Sequence, residues 1–276
     1  MAPPPEPAPA PGPLPDSDIA DTGTGPAVVF SHGTLLDRTM FLPQTTALAG
    51  RYRTIAYTSR AGTSRYGTER SLDDLGADCL GVVDRAGVDR FVLVGMSVGG
   101  FMAIEVALRH PERVAGLVLV ATQAEAYTEQ ERRTFGGLLE PLDTDGTIPE
   151  HVIEAFRPVI FGKRALAERP DLVERWTSKW RRRPARALHG EYRSWIDRPD
   201  RIADLGRITA PVLIVHGEGD NGISVDHAHT MHERLPRSTF APIADSGHLV
   251  TEEQPEAVTS ALGDFLDSLT PWGGPS

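Results

Sequence analysis

The chain has 276 residues and a formal net charge of −10 at pH 7, from 28 Lys+Arg against 38 Asp+Glu. A chain of this length folds as one large domain, or one domain with an insertion, and buries about 75% of its unfolded surface without a covalent staple. Its single cysteine, Cys79, excludes an internal disulfide and a thiolate zinc site, and the acidic balance argues against nucleic acid or an anionic membrane as partner.

Residues 1–15, MAPPPEPAPAPGPLP, include eight prolines, a density that favours extended polyproline II and predicts a disordered tail. No basic residues followed by an apolar segment mark a signal peptide, so the expectation is a cytoplasmic protein. Residues 27–30 (AVVF) and 54–57 (TIAY) are short apolar runs that predict strands. Leu72, Leu75, Cys79 and Val82 or Val83 recur at helical spacing, with Cys79 in the core stripe. Residues 91–94 (FVLV) predict a buried strand, and residues 98–110 a helix stopped by Pro111. The uncharged run 91–104 has 14 residues, too few to span a bilayer. Residues 114–121, 212–215 and 239–243 are further strands. Apolar runs separated by helices of crossover length predict an α/β fold, a mostly parallel central sheet with helices on both faces. Its core is read as 16–122 and 209–270, with residues 270–276 (TPWGGPS) loose. Between the two halves, residues 123–208 contain helix-like segments and no convincing strand. They carry Phe135, Phe156, Phe161, Trp176, Trp180, Tyr192 and Trp195, and are read as a helical cap.

The sharpest chemical signal is Gly95-Met96-Ser97-Val98-Gly99-Gly100, between a predicted strand and a predicted helix. A serine on so tight a turn needs small neighbours, stands clear of the sheet, and lies at the positive end of the following helix. A serine nucleophile needs a base, and the base an orienting acid. His248 follows the last predicted strand, and Asp220 follows residues 212–215. Both therefore fall at the C-terminal edge of the sheet, as Ser97 does. The chain order Ser97, Asp220, His248 suits the arrangement. Glu125, after residues 114–121, is a rival for the acid. Asp226 lies past the turn and starts a helix.

These motifs resemble the α/β-hydrolase family over nearly the whole ordered chain. Ser31-His32-Gly33-Thr34 resembles the family's His-Gly segment, residues 95–100 its elbow, residues 217–220 its G-x-x-D acid loop, and Gly247-His248 with Glu252 or Glu253 and Pro255 its ending. The resemblance implies a catalytic Ser97, Asp220 and His248. It implies an oxyanion hole from the backbone N–H of Val98 and of Thr34, with Leu35 as the alternative, and places residues 123–208 where the family carries its cap. Met96, Trp176, Trp180 and Trp195 are the candidate substrate-binding residues. The sequence departs from the family at residues 57–64, where Thr58 and Ala61 replace an Asp and a Gly.

The reaction expected is acyl chemistry on a small apolar carboxylic ester or lactone, through an acyl-enzyme, with no cofactor and no metal. Alternatives on the same residues are cofactor-free perhydrolysis, acyl transfer or carbon–carbon bond hydrolysis; a small-molecule receptor is a further one. His32 reads as structural. His227, His229 and His232 read as a surface helix, and Arg181, Arg182 and Arg183 as a solvated face rather than a nucleic-acid site. Neither nucleic acid nor membrane is expected as partner.

Overall fold

Strands with no polar alternation can be buried only where crossover helices cover both faces of a parallel sheet. The computed structural model, which describes residues 14–63, 65–66 and 71–269, has this form. Its strands are β1 (Ile19–Thr22), β2 (Ala27–Ser31), β3 (Arg53–Tyr57), β4 (Phe91–Met96), β5 (Val114–Val120), β6 (Val212–Gly217) and β7 (Ser238–Ile243). They form one seven-stranded sheet ordered β1-β3-β2-β4-β5-β6-β7. Only the β1–β3 pair is antiparallel. Every residue of β2, β4, β5 and β6 is buried.

The helices are α1 (Leu42–Leu48), α2 (Leu72–Arg85), α3 (Val98–Arg109), α4 (Glu129–Leu139), α5 (Glu150–Ile160), α6 (Lys163–Glu168), α7 (Pro170–Arg182), α8 (Ala185–Trp195), α9 (Val225–Arg234), α10 (Val250–Glu253) and α11 (Pro255–Ser268). Helix α2 starts at Ser71, whose hydroxyl takes the Asp74 N–H while the Asp74 carboxylate takes the Ser71 N–H. These reciprocal bonds satisfy donors that a helix start otherwise leaves orphaned. Helix α3 packs on α2, β4 and β5, whereas α1 and α11 pack together and α11 lies on β6 and β7. Val94, Val118, Val120 and Val215 turn toward the α11 side, meeting Val258 and Leu262.

The register brings the C-terminal strand ends to one edge. Ser31 pairs with Gly95, Met96 with Val120, Val120 with Val215 and Gly217 with Ile243. Helices α4 to α8 occupy the span between β5 and β6. They are tied to loops of this edge: Lys179 Nζ donates to Asp37 Oδ2 at 2.7 Å, and the Leu249 N–H to the Ile160 carbonyl at 3.0 Å.

Two expectations need correcting. Leu14 is buried, and its carbonyl accepts from Arg85 Nη1 at 2.6 Å, so packing begins inside the predicted tail. Strand β1 was not expected. It is a half-exposed edge strand carrying two polar residues in four, so it lacks the apolar run that marks the interior strands. The expectations for residues 1–13, for Ser64 and for residues 270–276 lie outside the described residues.

Candidate active site

Ser97 joins β4 to α3 with φ 52° and ψ −115°, a left-handed conformation for a residue with a side chain. Such backbone costs on the order of 1–3 kcal/mol and persists only where its surroundings hold it. Here the Ser97 N–H donates to the Val120 carbonyl at 2.9 Å. The Ser97 carbonyl accepts the Gly100 and Phe101 N–H groups and the Thr122 hydroxyl, at 2.8, 3.0 and 2.8 Å. The neighbouring glycines are steric necessities. A Cβ on Gly95 would lie 2.3 Å from the Gly99 carbonyl oxygen, and one on Gly99 would lie 2.3 Å from that of Ser31.

The loops after β6 and β7 carry the other two candidates. Asp220 Oδ1 accepts the Gly222 and Ile223 N–H groups at 2.7 and 3.0 Å, and its Oδ2 faces His248 Nδ1 at 2.8 Å. The Asp220 side chain is fully buried. Burial acts to raise its carboxyl, but the charge and hydrogen bonds of His248 and His216 outweigh this and hold it well below the usual carboxylate range. An ionised Asp220 accepts from Nδ1–H, which leaves Nε2 of His248 as the basic nitrogen. The two loops are pressed together: a Cβ on Gly217 would stand 2.3 Å from the Gly247 carbonyl oxygen. Glu253 braces the histidine loop, its two carboxylate oxygens taking the Gly162 and Gly247 N–H groups at 3.0 and 2.8 Å.

Of the two acids considered, Asp220 is the one bonded to His248. Glu125 instead pairs with His227 Nδ1 at 3.1 Å. Burial works to raise the Glu125 carboxyl, and the hydrogen bond and charge of His227 together with backbone N–H donors outweigh it and lower it.

Thr34 and Leu35 are the central residues of a turn closed by the Leu36 N–H on the Gly33 carbonyl at 3.2 Å. The N–H groups of Thr34 and Val98 have no acceptor among the described residues. The Leu35 N–H is taken by Glu191 Oε2, so of the two loop donors weighed, Thr34 is the unengaged one. His32 bridges its own loop and the next, with its ring nitrogens at the Gly33 carbonyl and the Ser59 N–H.

Met96 is buried in β4 beneath Gly33, where a Cβ on the glycine would lie 2.5 Å from the Met96 sulfur. Trp176 is buried and donates Nε1–H to Glu252 at 2.8 Å. Trp195 packs among Tyr127, Phe135 and Tyr192. Trp180 stacks on Phe161 and borders a cleft of about 410 Å³ between the Leu35–Leu36 turn, residues 61–63 and the α7–α8 junction. The departing loop thus forms part of this wall. Arg60 is fixed there by Asp78, Nη2 to Oδ1 at 2.8 Å.

Sequence reading gave no role to His216 or Glu191. His216 Nε2 lies 2.9 Å from the Ile223 carbonyl and 3.2 Å from Asp220 Oδ2, buttressing the acid from behind. Its signal was adjacency to Gly217 in the acid loop. Glu191 was detectable as a carboxylate inside the apolar stripe Leu188, Tyr192, Trp195 of a helix.

The model of the alpha/beta hydrolase family matches residues 28–261. The chain belongs to this family. Among curated relatives of this hydrolase, 3-oxoadipate enol-lactonase 1 of Acinetobacter baylyi is 24% identical over 245 residues, covering 88% of this chain and 90% of the relative. A 2-hydroxy-6-oxononadienedioate/2-hydroxy-6-oxononatrienedioate hydrolase of Paraburkholderia phymatum is 30% identical over 202 residues, 70% of this chain and 68% of the relative. Among solved structures, a thermophilic esterase from Thermogutta terrifontis superposes with TM-score 0.85 at 27% identity, covering 90% of this chain and 92% of the esterase. Among the described residues, no helix of this hydrolase is long and apolar enough to cross a membrane.

Proposed function

We propose that this alpha/beta hydrolase cleaves a small carboxylic ester or lactone with Ser97, His248 and Asp220 as its catalytic triad. The observation that carries the reading is the 2.8 Å contact between His248 Nδ1 and a buried, ionised Asp220, on the sheet edge where Ser97 is held in a left-handed elbow. The likeness to an esterase and an enol-lactonase supports it. In this reading Ser97 Oγ attacks the acyl carbon and passes its proton to His248 Nε2. The N–H groups of Thr34 and Val98 receive the oxyanion, each contributing about 3 kcal/mol to transition-state stabilisation. His248 then protonates the departing alkoxide, leaving an acyl-Ser97. It next takes a proton from water, which attacks the acyl carbon, and returns it to Ser97 as the acid leaves. Asp220 stays ionised and holds the imidazole in the required tautomer.

Carbon–carbon bond hydrolysis is the second reading, favoured by the likeness to the Paraburkholderia phymatum hydrolase. One screen separates them: turnover of acyl esters, lactones and a β-ketolytic substrate, with product masses measured. Ester or lactone products are expected, with Ser97→Ala lowering kcat by about 10⁴-fold or more. Phosphonate should label Ser97 with the loss of activity. A Ser97→Ala variant retaining more than a few per cent of wild-type turnover overturns the mechanism.

A further inference from the structure

The turn that carries Thr34 is gripped from the helical insertion. Leu35, its third residue, has φ 64°, the value a type II turn requires at that position and usually fills with glycine. A leucine does not rest there unaided, and the insertion engages both polar groups of the residue. Glu191 of α8 accepts the Leu35 N–H at 3.3 Å, and Trp180 of α7 donates its indole N–H to the Leu35 carbonyl at 2.8 Å. These partners lie 156 and 145 residues away in the chain, so the turn depends on the docked insertion. Glu191 is itself fixed: Arg183 Nη2 bonds the same oxygen at 3.0 Å, with Glu191 buried and Arg183 largely so. Glu191 also borders an enclosed cavity of about 10 Å³ with His32, Val98 and Gly99, which places it beside the nucleophile elbow. A bare carboxylate there would oppose a developing oxyanion, and Arg183 cancels its charge. Burial pushes the Glu191 carboxyl up, against the pull of Arg183.

We infer that Glu191 and Trp180 are positioning residues. They hold the Leu35 peptide in its left-handed turn, keep the Thr34 N–H aimed at the oxyanion, and so make turnover depend on the docked insertion. This rests on the reading that Thr34 donates to the oxyanion. A turn so held acts on the transition state more than on substrate binding, so its loss falls on kcat and spares KM.

The test compares wild type with Trp180→Phe, Glu191→Ala and Glu191→Gln on one chromogenic ester, with thermal unfolding of each. Trp180→Phe keeps a ring against Phe161 and removes only the indole donor; kcat should fall about tenfold, with KM within about threefold. Glu191→Ala should lose on the order of 30-fold or more in kcat, and Glu191→Gln, which keeps an acceptor for the Leu35 N–H, should recover most of it. The rate of Ser97 phosphonylation should fall in proportion to kcat while the end-point stays stoichiometric. If Glu191→Ala does not fold, Trp180→Phe and Glu191→Gln carry the test. Folded Trp180→Phe with wild-type kcat, or losses in KM alone, would overturn the inference and leave the triad reading standing. Failure of phosphonate to label Ser97 in an active wild type would instead remove the triad reading, and this inference with it.

Discussion

His32 Nδ1 and the Gly33 carbonyl lie 2.8 Å apart, and His32 Nε2 accepts the Ser59 N–H at 2.8 Å. The ring therefore welds the turn after β2 to the turn after β3, and it does so only as a neutral imidazole, because Nε2 must keep its lone pair. Burial pushes the imidazole down to about 4, outweighing the hydrogen bond to Gly33. The unfolded chain takes up this proton near 6.5, so between these values the unfolded state holds more protons and stability rises with pH. The contribution is fully present above pH 6.5 and is lost as the pH falls from 6.5 to 4. A displacement of this size corresponds to about 3 kcal/mol. Urea unfolding at a series of pH values should show the wild type losing about this much relative to His32→Asn between pH 6.5 and 4. A stability difference between the two that is flat across that range would show that His32 titrates normally. The structural role of His32 was legible from its place beside Gly33. The roles of Glu191 and of the left-handed Leu35 were not: the carboxylate stands out in the apolar stripe of α8, but its partner at Leu35 comes into view only once the chain has brought together residues 156 positions apart.

At the level of elements, the buried parallel strands β2, β4, β5 and β6 announced themselves because each carries an unbroken apolar run, and β2, β4 and β6 lead into glycine-bearing turns. The same rule hid β1, whose four residues are all partly or fully exposed, and it placed the tail boundary past Leu14, since a lone leucine among prolines carries no periodic signal. The elbow was legible for a steric reason. With a Cβ on Gly99 only 2.3 Å from the Ser31 carbonyl oxygen, β2 and α3 cannot both keep their places. Gly99→Ala should destabilise by more than about 4 kcal/mol, the range of exceptional single substitutions. Gly81 in α2 is the counter-case: a Cβ there meets nothing within 4 Å, and its φ is not in the left-handed region. Gly81→Ala should stabilise by about 0.5–1 kcal/mol through helix propensity alone. Thermal unfolding of the two variants checks the pair. A Gly99→Ala protein as stable as wild type would mean that the strand-to-helix contact yields to an added methyl group.

Across the whole molecule, polar ties join the helical insertion to the rest of the fold. Arg201 makes a two-pronged bond to the buried Glu105 of α3, at 2.7 and 3.0 Å, and Arg198 lies between the rings of Phe101 and Tyr127 at 3.9 and 3.8 Å. Glu252 accepts the Trp176 indole N–H at 2.8 Å and pairs with Arg175. The three tryptophans picked out as a substrate wall therefore do different work. Trp195 sits 5.4 to 5.6 Å, ring to ring, from Tyr127, Phe135 and Tyr192, and fills the interior of the insertion. Trp176 is a tie to α10. Trp180 borders the 410 Å³ cleft beside the Leu35 turn. If that cleft receives the acyl or alcohol group of the substrate, shaving its wall should act on large substrates and not on small ones. Losing roughly 60 Å² of apolar contact at about 25 cal/mol per Å² removes about 1.5 kcal/mol, or about tenfold in kcat/KM. Trp180→Ala should thus lower the ratio of bulky-ester to acetyl-ester kcat/KM about tenfold, beyond any loss common to both substrates. Trp195→Ala should cost about 3–5 kcal/mol of stability, as for other large-to-small changes in a core, and leave the ratio unchanged. The measurement is that ratio for each purified variant together with its melting temperature. An unchanged ratio in Trp180→Ala would move substrate selection away from this cleft, and a changed ratio in Trp195→Ala would mean that the packing inside the insertion shapes the site at a distance.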